Sequence, residues 1–202
     1  MIQYPTRTVS RLVWIYGVGM LAFSALTGVL ALYLGAEFGI DERTIGYVFL
    51  YHGALSVVMR SLLLGPIVDR IGERWAMRLG TFALIAGLVL YPQPTSIWVL
   101  AAVMPLMPIG TALLFPSTTA LVSRNTVRAD YGTVMGVTQF FGGGARVIAP
   151  ILATAAFQHL GHPAPFYLAA GIVALVSVLA FQVEAPVPTV ETTPASASES
   201  PS

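Results

Sequence analysis

The sequence predicts an all-α protein that crosses a lipid bilayer several times, and three observations lead to this fold class. Of the 202 residues, 56% are hydrophobic and only 9% are charged, and the mean hydropathy is +0.78. A water-soluble domain has about 25% charged residues, so this chain has too few charges to cover a surface that faces water. Its apolar residues also fall into runs long enough for membrane-spanning helices.

Six apolar runs account for most of the chain. A helix that crosses a bilayer needs roughly 20 mostly apolar residues, at about 1.5 Å of rise for each. Such runs cover about residues 12–35, 44–66, 75–92, 97–122, 132–158 and 165–183. Because the first run exceeds the roughly 7–15 apolar residues of a signal peptide and leads into the second run, we predict that it remains as a spanning helix.

Arginines in the short loops predict the orientation. They lie before the first run and in the loops after the second and fourth runs, whereas the opposite loops carry one arginine beside three acids. Both termini are therefore predicted to be cytoplasmic, in a cell membrane such as the bacterial inner membrane. Residues 1–11 then form a cytoplasmic segment and residues 12–183 the membrane domain. Residues 184–202, rich in Pro, Ser, Thr and Ala, are predicted to be a disordered cytoplasmic tail.

Composition argues against several functional classes. The net charge of +1 gives no basic field for a nucleic acid. The chain has no cysteine for a disulfide, a thiolate nucleophile or a Cys-ligated metal, and its three histidines lack a paired metal-ligand spacing. The runs contain neither paired carboxylates nor a nucleophile–base pair, so we predict neither an enzyme nor a cofactor.

The fifth run is rich in small residues. Gly132 and Gly136 are four residues apart, and the block Gly142–Ala145 precedes Pro150. Small residues let membrane helices approach closely, and proline removes one backbone hydrogen bond. Two interpretations are open, namely tight packing alone and a helix that bends or slides against a partner.

Three ionisable residues fall inside the predicted spans. A central arginine costs about 2.5–3.5 kcal/mol on insertion scales, so Arg146 in the fifth run is predicted to face a cavity or a neighbouring helix. There it would attract an anionic group or a carboxylate from elsewhere. Arg60 is near enough to the interface to extend its side chain toward water. His52 is either a proton relay or a hydrogen-bonded structural residue.

Charge is concentrated in the loop between the second and third runs, "GPIVDRIGER", residues 65–74. This loop resembles the signature G-x-x-x-D-R-x-G-x-R of the major facilitator superfamily, with Gly65, Asp69, Arg70, Gly72 and Arg74 in register. The resemblance covers roughly residues 11–183 and is greatest to the drug and metabolite efflux branches. It implies a bundle of six transmembrane helices, built as a 3+3 inverted repeat, that is one half of such a transporter.

Two features of the fourth run indicate which half the chain resembles. The family's first half usually carries an arginine in its fourth helix, and this run has none before Arg124. The spacing of Gly110 and Pro116 is similar to that in the family's tenth helix, and the chain ends in a tail. The resemblance therefore implies the C-terminal half, with helices seven to twelve.

The fifth run loosely resembles the family's antiporter signature, G-x8-G-x3-G-P-x2-G. In register, the signature falls on Gly136, Ala145, Ala149, Pro150 and Ala153, with alanine in place of three glycines. Gly136, Ala145, Ala149 and Pro150 are thus the candidate packing and bending residues.

The resemblance implies that the charged loop is a conformational latch on the cytoplasmic face. Asp69 would interact with a helix N-terminus and with basic groups, and Arg124 and Arg128 are its candidate partners. A carboxylate at a helix N-terminus gains typically 0.3–1 kcal/mol, a modest energy for a contact that must break in each cycle. The alternative is a positive-inside anchor with weak local ion pairs.

The resemblance also implies transport of a small molecule by alternating access, with proton-coupled efflux by analogy. A second six-helix half, from a separate chain or a second copy, would complete the molecule in the lipid bilayer. Arg146, Gln139, Phe140 and His52 are the candidate cavity residues. The alternative function is a non-transporting remnant, or a membrane subunit that binds and regulates another membrane protein.

Overall fold

The computed structural model describes residues 8–181, and all regular structure in that range is helical. The six α-helices are α1 (Thr8–Phe38), α2 (Ile45–Leu90), α3 (Ile97–Val103), α4 (Leu106–Arg124), α5 (Tyr131–Leu160) and α6 (Ala164–Phe181), and a short 3-10 helix, Arg128–Asp130, precedes α5. The prediction of an all-α protein is confirmed for this part of the chain. The predicted tail, residues 184–202, and most of the predicted N-terminal segment lie outside the described residues.

The helix boundaries differ from the six predicted runs in two places. The second and third runs both belong to α2, whose helical backbone is interrupted at Gly72 (φ 77°, ψ 160°). The fourth run is divided into α3 and α4 at Pro105. Proline has no N–H, so it leaves the carbonyl of Ala101 without its helical donor. The hydroxyl of Tyr51, in α2, donates a hydrogen bond of 3.1 Å to that carbonyl.

Four segments of the described chain are long and apolar enough to cross a membrane. They are Thr8–Phe38, Ile45–Leu62, Ile97–Arg124 and Arg128–Leu160, and the apolar helix Ala164–Val178 is shorter. The chain is thus a multi-pass membrane protein. A total of six crossings stays a prediction, because the part of α2 after Gly72 and α6 are not among these four segments.

Helix α1 lies at the centre of the bundle, where it packs against α4, α5 and α6. Leu12, Ala22 and Leu34 of α1 are fully buried, so the helix is enclosed along most of its length. Helix α2 packs mainly against α4 and also against α6. The core therefore joins elements from both ends of the sequence.

Helices α2 and α4 approach each other closely at two glycines, one on each helix. A Cβ atom added at Gly80 would lie 2.6 Å from the backbone nitrogen of Leu114, and one at Gly110 would lie 2.7 Å from that of Leu84. Neither position has room for a side chain. Because lipid supplies no hydrophobic drive between helices, this backbone contact is a principal source of packing energy between α2 and α4.

Small residues also bring α1 and α5 together. A Cβ atom at Gly28 would lie 2.9 Å from that of Pro150, and one at Gly142 would lie 2.7 Å from the ring of Tyr16. Two of the candidate packing residues, Ala145 and Ala149, are buried. Gly136 is exposed, and a Cβ atom there would meet nothing within 4 Å. The candidate packing residues of α5 therefore do not share one interface.

The end of the bundle far from Gly72 is held by local polar contacts. Asp41 accepts hydrogen bonds from the hydroxyl of Thr44 (2.6 Å) and from its backbone N–H (2.9 Å) just before α2 begins, and these bonds hold the pKa of the carboxyl below its usual value. Nδ1 of His162 lies 2.7 Å from Oε1 of Glu37. This contact ties the end of α1 to the start of α6.

We expect Gly110→Ala to destabilise the protein, because the added methyl group would overlap the backbone of α2. Overpacking of this kind costs typically 1–3 kcal/mol. Gly171→Ala is the matched control, because that glycine lies in α6 with nothing within 4 Å of an added Cβ atom. Thermal unfolding in detergent should show a lower midpoint for Gly110→Ala alone. Equal midpoints for the two variants would contradict the close approach.

Tyr51→Phe should also destabilise the protein, since it removes the donor to the carbonyl of Ala101. The bond lies on the bundle surface within an apolar segment, where lipid offers the carbonyl no other donor and an unsatisfied polar group costs several kcal/mol. Tyr47→Phe, at an exposed position in the same helix, removes a hydroxyl without such a bond and should be neutral. The same unfolding assay compares the two, and an unchanged midpoint for Tyr51→Phe would refute the role of this bond.

Candidate functional site

The charged loop is organised around the backbone of Gly72. Its dihedral angles (φ 77°, ψ 160°) lie in a region that is essentially restricted to glycine, where another residue would cost of order 1–3 kcal/mol. Gly65 differs, because it lies in the helical part of α2 with nothing within 4 Å of an added Cβ atom. Of the two glycines that frame the loop, only Gly72 has a backbone that requires glycine.

The loop and the end of α4 line an open cavity of about 380 Å³. Asp69, Gly72, Glu73 and Arg74 of α2 line it together with Arg124 of α4. The structure thus brings four of the residues singled out in the sequence into one place. Two others lie apart from that lining: Arg70 is exposed on α2, and Arg128 begins the 3-10 helix before α5.

The ion pair in this cavity differs from the expected one. Nη2 of Arg124 lies 2.9 Å from Oε1 of Glu73, and the arginine side chain is 65% exposed whereas the glutamate is 15% exposed. Asp69 makes no ion pair or hydrogen bond with another residue in the range 8–181. A contact of Asp69 with Arg124 or Arg128 stays a prediction.

Glu73 is a site residue that the sequence-based prediction missed. It occupies a position that the signature leaves open, so the resemblance assigns it no role. The sequence marks Glu73 only by its charge directly after Gly72, and α4, which faces it, ends in an arginine. Because Arg124 is mostly exposed, the ion pair is worth about 0–1 kcal/mol, and its geometry matters more than its energy.

Arg78 connects the loop region to the last helix. Its Nε donates to the carbonyl of Ala180 (3.1 Å) and its Nη2 to that of Phe181 (3.0 Å). The guanidinium also lies 5.0 Å from the ring centre of Trp75 and 5.3 Å from that of Phe181. Arg78 therefore satisfies carbonyls at the C-terminal end of α6, where a positive charge is favourable.

Arg146 lies in the middle of α5, as the sequence predicts, and its side chain is exposed on the bundle surface. Its Nε donates to Sδ of Met20, in α1, at 3.4 Å. No carboxylate within residues 8–181 forms an ion pair with it. The structure thus leaves a charged group at membrane depth with a weak sulfur acceptor as its protein contact.

Gln139 and Phe140 lie on different sides of α5. Gln139 is seven residues before Arg146, two helical turns away, so the two polar side chains share a face. Phe140 instead lines an apolar groove of about 330 Å³ between α1 and α5, together with Trp14 and Ile148. The four candidate cavity residues therefore do not form one site.

His52 is buried in α2, with 8% of its surface exposed. Neither ring nitrogen has a hydrogen-bond partner among the described residues, so the interpretation as a hydrogen-bonded structural histidine finds no support. The hydroxyl of Tyr91 is likewise buried without a partner.

Comparisons with known proteins agree with this fold. The human organic anion transporter MFSD10 (TETRAN) has a TM-score of 0.77 and 23% identity, over 85% of this chain and 40% of that chain. A mutant of peptide transporter POT in complex with sulfate has a TM-score of 0.77 and 21% identity, over 86% of this chain and 37% of that chain. The chain thus spans less than half the length of either protein.

The sequence itself matches a family model, described as Major Facilitator Superfamily, over residues 12–201. The match extends well beyond the signature loop, residues 65–74. Because it includes nearly the whole sequence, the chain belongs to the Major Facilitator Superfamily.

Proposed function

We propose that the chain forms one half of a secondary active transporter, which moves a small molecule across the membrane by alternating access. The family match over residues 12–201 is the observation that carries this proposal. The break at Gly72 divides α2 into two spans, and α3 and α4 together form one. With α1, α5 and α6, this division would supply the six crossings that we propose for a C-terminal half-bundle.

A second six-helix bundle, from another chain or another copy, would complete the transporter. The face of α5 that carries Arg146 supports this assembly, because a charged group at membrane depth normally faces a water-filled cavity or a protein partner. The exposed first part of α2 offers a further apolar surface, with Tyr47, Leu50 and Val57 among its exposed side chains. The bundle would then rock against its partner around a central cavity.

The loop around Gly72 acts as the cytoplasmic latch of this cycle, with both termini on the same side of a cell membrane such as the bacterial inner membrane. Arg124 has two carboxylates at its cavity, Glu73 in contact and Asp69 without an ion pair among the described residues. Because Arg124 is mostly exposed, this pair is weak and can exchange readily. Arg124 would move between the two carboxylates, or Asp69 would bind a basic group of the second bundle.

Proton-coupled efflux of a drug or metabolite is the transport mode that we propose from the resemblance of the loop to the efflux branches. The two structural neighbours are named as transporters of organic anions and of peptides, which supports small molecules as the cargo. His52 is the candidate proton carrier, because its buried ring has both nitrogens without a partner among the described residues.

A second candidate function is a non-transporting one. The residues of this chain correspond to 40% and 37% of its two structural neighbours. A remnant, or a subunit that binds and regulates another membrane protein, fits this observation as well.

Reconstitution distinguishes the two functions. Proteoliposomes with an internal pH indicator would contain the chain alone, or the chain with the product of a neighbouring gene. Addition of organic anions, organic cations and short peptides across a pH gradient should change the internal pH if the chain transports one of them with protons. Flux with the chain alone requires a homodimer. The absence of flux in every combination would contradict transport and favour the regulatory subunit.

In the complete transporter, Asp69→Asn should reduce the rate of transport and leave membrane insertion unchanged, because it removes the charge from the latch. Asp130→Asn is the matched control, since Asp130 is an exposed acid of the 3-10 helix outside the cavity. Initial rates and the amount of inserted protein are measured for both. A normal rate for Asp69→Asn would count against the latch.

A further inference from the structure

We infer that the ligand recognised by this bundle is an organic anion with an apolar ring or chain. Arg146 would bind the anionic group, and the aromatic side chains of α1 and α4 beside it would bind the apolar part. This inference rests on the proposed transport function and names the substrate class of its cavity.

The charge of Arg146 is isolated at membrane depth. Arg146 is 15 residues from the start of α5 and 14 from its end, so it lies about 20 Å from either end of the helix at 1.5 Å per residue. The acids of the described chain lie at helix ends and in loops; they are Glu37, Asp41, Glu42, Asp69, Glu73 and Asp130. A ligand with a negative charge would therefore meet an uncompensated positive charge, whereas a cationic ligand would be repelled.

The guanidinium retains donors for such a ligand. Its contact with Sδ of Met20 engages one N–H, at Nε, and a thioether is a weak acceptor. The other four N–H groups belong to the two terminal nitrogens. A planar carboxylate or a sulfonate can accept two parallel hydrogen bonds from an arginine. Arginine therefore favours such a group over an anion that acts as a single point charge.

Aromatic surface lies next to Met20. Met20 forms a small cluster with Tyr16 and Ala145, and the partly buried Phe23 and Phe115 pack against it. The ring of Phe115 lies 5.5 Å from that of Tyr16 and 6.3 Å from that of Phe23, both edge to face. Tyr16 is buried, whereas Phe23 and Phe115 are partly exposed, so the contact of Arg146 with Met20 places the charge beside two partly exposed rings, one from α1 and one from α4.

A second polar group shares the face of α5. Gln139 is exposed and makes no hydrogen bond within residues 8–181. It lies about 10 Å from Arg146 along the helix axis. A Cβ atom at Gly143, between them, would meet nothing within 4 Å, so a ligand can lie against the helix there. Gln139 would bind a polar group at the far end of the ligand.

Other anions fit this arrangement less well. A lipid headgroup would have to move to the middle of the bilayer to reach Arg146. An inorganic anion would lose its hydration at this depth and would leave the aromatic surface unused. An organic anion would compensate the charge of Arg146 with its anionic group and cover the aromatic rings with its apolar part.

Equilibrium binding to the purified chain in nanodiscs of zwitterionic lipid tests this inference. The probes are 2-naphthoate, its neutral analogue 2-naphthylmethanol, the cation 2-naphthylmethylammonium and inorganic sulfate, with empty nanodiscs to correct for partition into lipid. We expect 2-naphthoate to bind about tenfold more tightly than the neutral analogue, as a charge-assisted bidentate pair allows. The cation and sulfate should bind more weakly than either.

Variants assign the preference to particular side chains. Arg146→Gln should abolish the preference for 2-naphthoate over the neutral analogue, and Arg146→Lys should retain part of it. Arg60→Gln is the matched control, because Arg60 is an exposed arginine of another apolar segment, and it should leave the preference unchanged. Phe115→Ala should weaken the binding of 2-naphthoate and of 2-naphthylmethanol by the same factor.

Three results would overturn the inference. They are equal binding of 2-naphthoate and its neutral analogue by the unaltered chain, the same preference in Arg146→Gln, and sulfate binding as tight as that of 2-naphthoate. The first of these is also expected if a carboxylate of a second bundle neutralises Arg146. Binding can be measured without flux. An anion preference in a chain that transports nothing would therefore contradict the proposed transport function and leave the inferred anion site standing.

Discussion

The backbone contact between α2 and α4 determines the geometry of the charged loop around Gly72. At Gly80 and Gly110 the two helices approach so closely that neither position has room for a Cβ atom, which fixes how one helix lies along the other. From these glycines α2 leads back to Glu73 and α4 continues to Arg124, and the two side chains meet at 2.9 Å. A weak, partly exposed ion pair could not hold two helices in register by itself. The packed glycines do so, and the ion pair can therefore change without loss of the fold.

Much of the helical framework was predictable, because apolar runs and their interruptions report directly on membrane-spanning helices. The identity of the loop was also predictable from five residues at fixed spacing. The backbone at Gly72 and the division of the fourth run follow local rules for glycine and proline, yet only the structure shows that Gly65 has no such requirement. Residues with a local cause were thus easier to predict than residues whose role comes from another helix.

Contacts between distant parts of the chain were not predictable from the sequence. Arg78 and its acceptor at Ala180 are 102 residues apart, and Tyr51 and Ala101 are 50 apart. No local pattern marks these pairs, because they depend on which helices become neighbours. The same limit applies to α5, where the charge of Arg146 was evident but its position beside Met20 of α1 was not. Phe140, adjacent to Gln139 in sequence, lies in a different groove because successive helical residues face different directions.

The hydrogen bond from Tyr51 to Ala101 has a mechanical consequence for the junction of α3 and α4. In an uninterrupted helix, each carbonyl is bound by an amide of the same rigid coil, and bending the coil stretches that bond. At Pro105 the amide is missing, and the donor is instead a hydroxyl at the end of a side chain from another helix. A phenol can swing about its side-chain torsions and follow the carbonyl as the angle between the two segments changes. The junction can therefore bend without leaving the carbonyl of Ala101 unpaired.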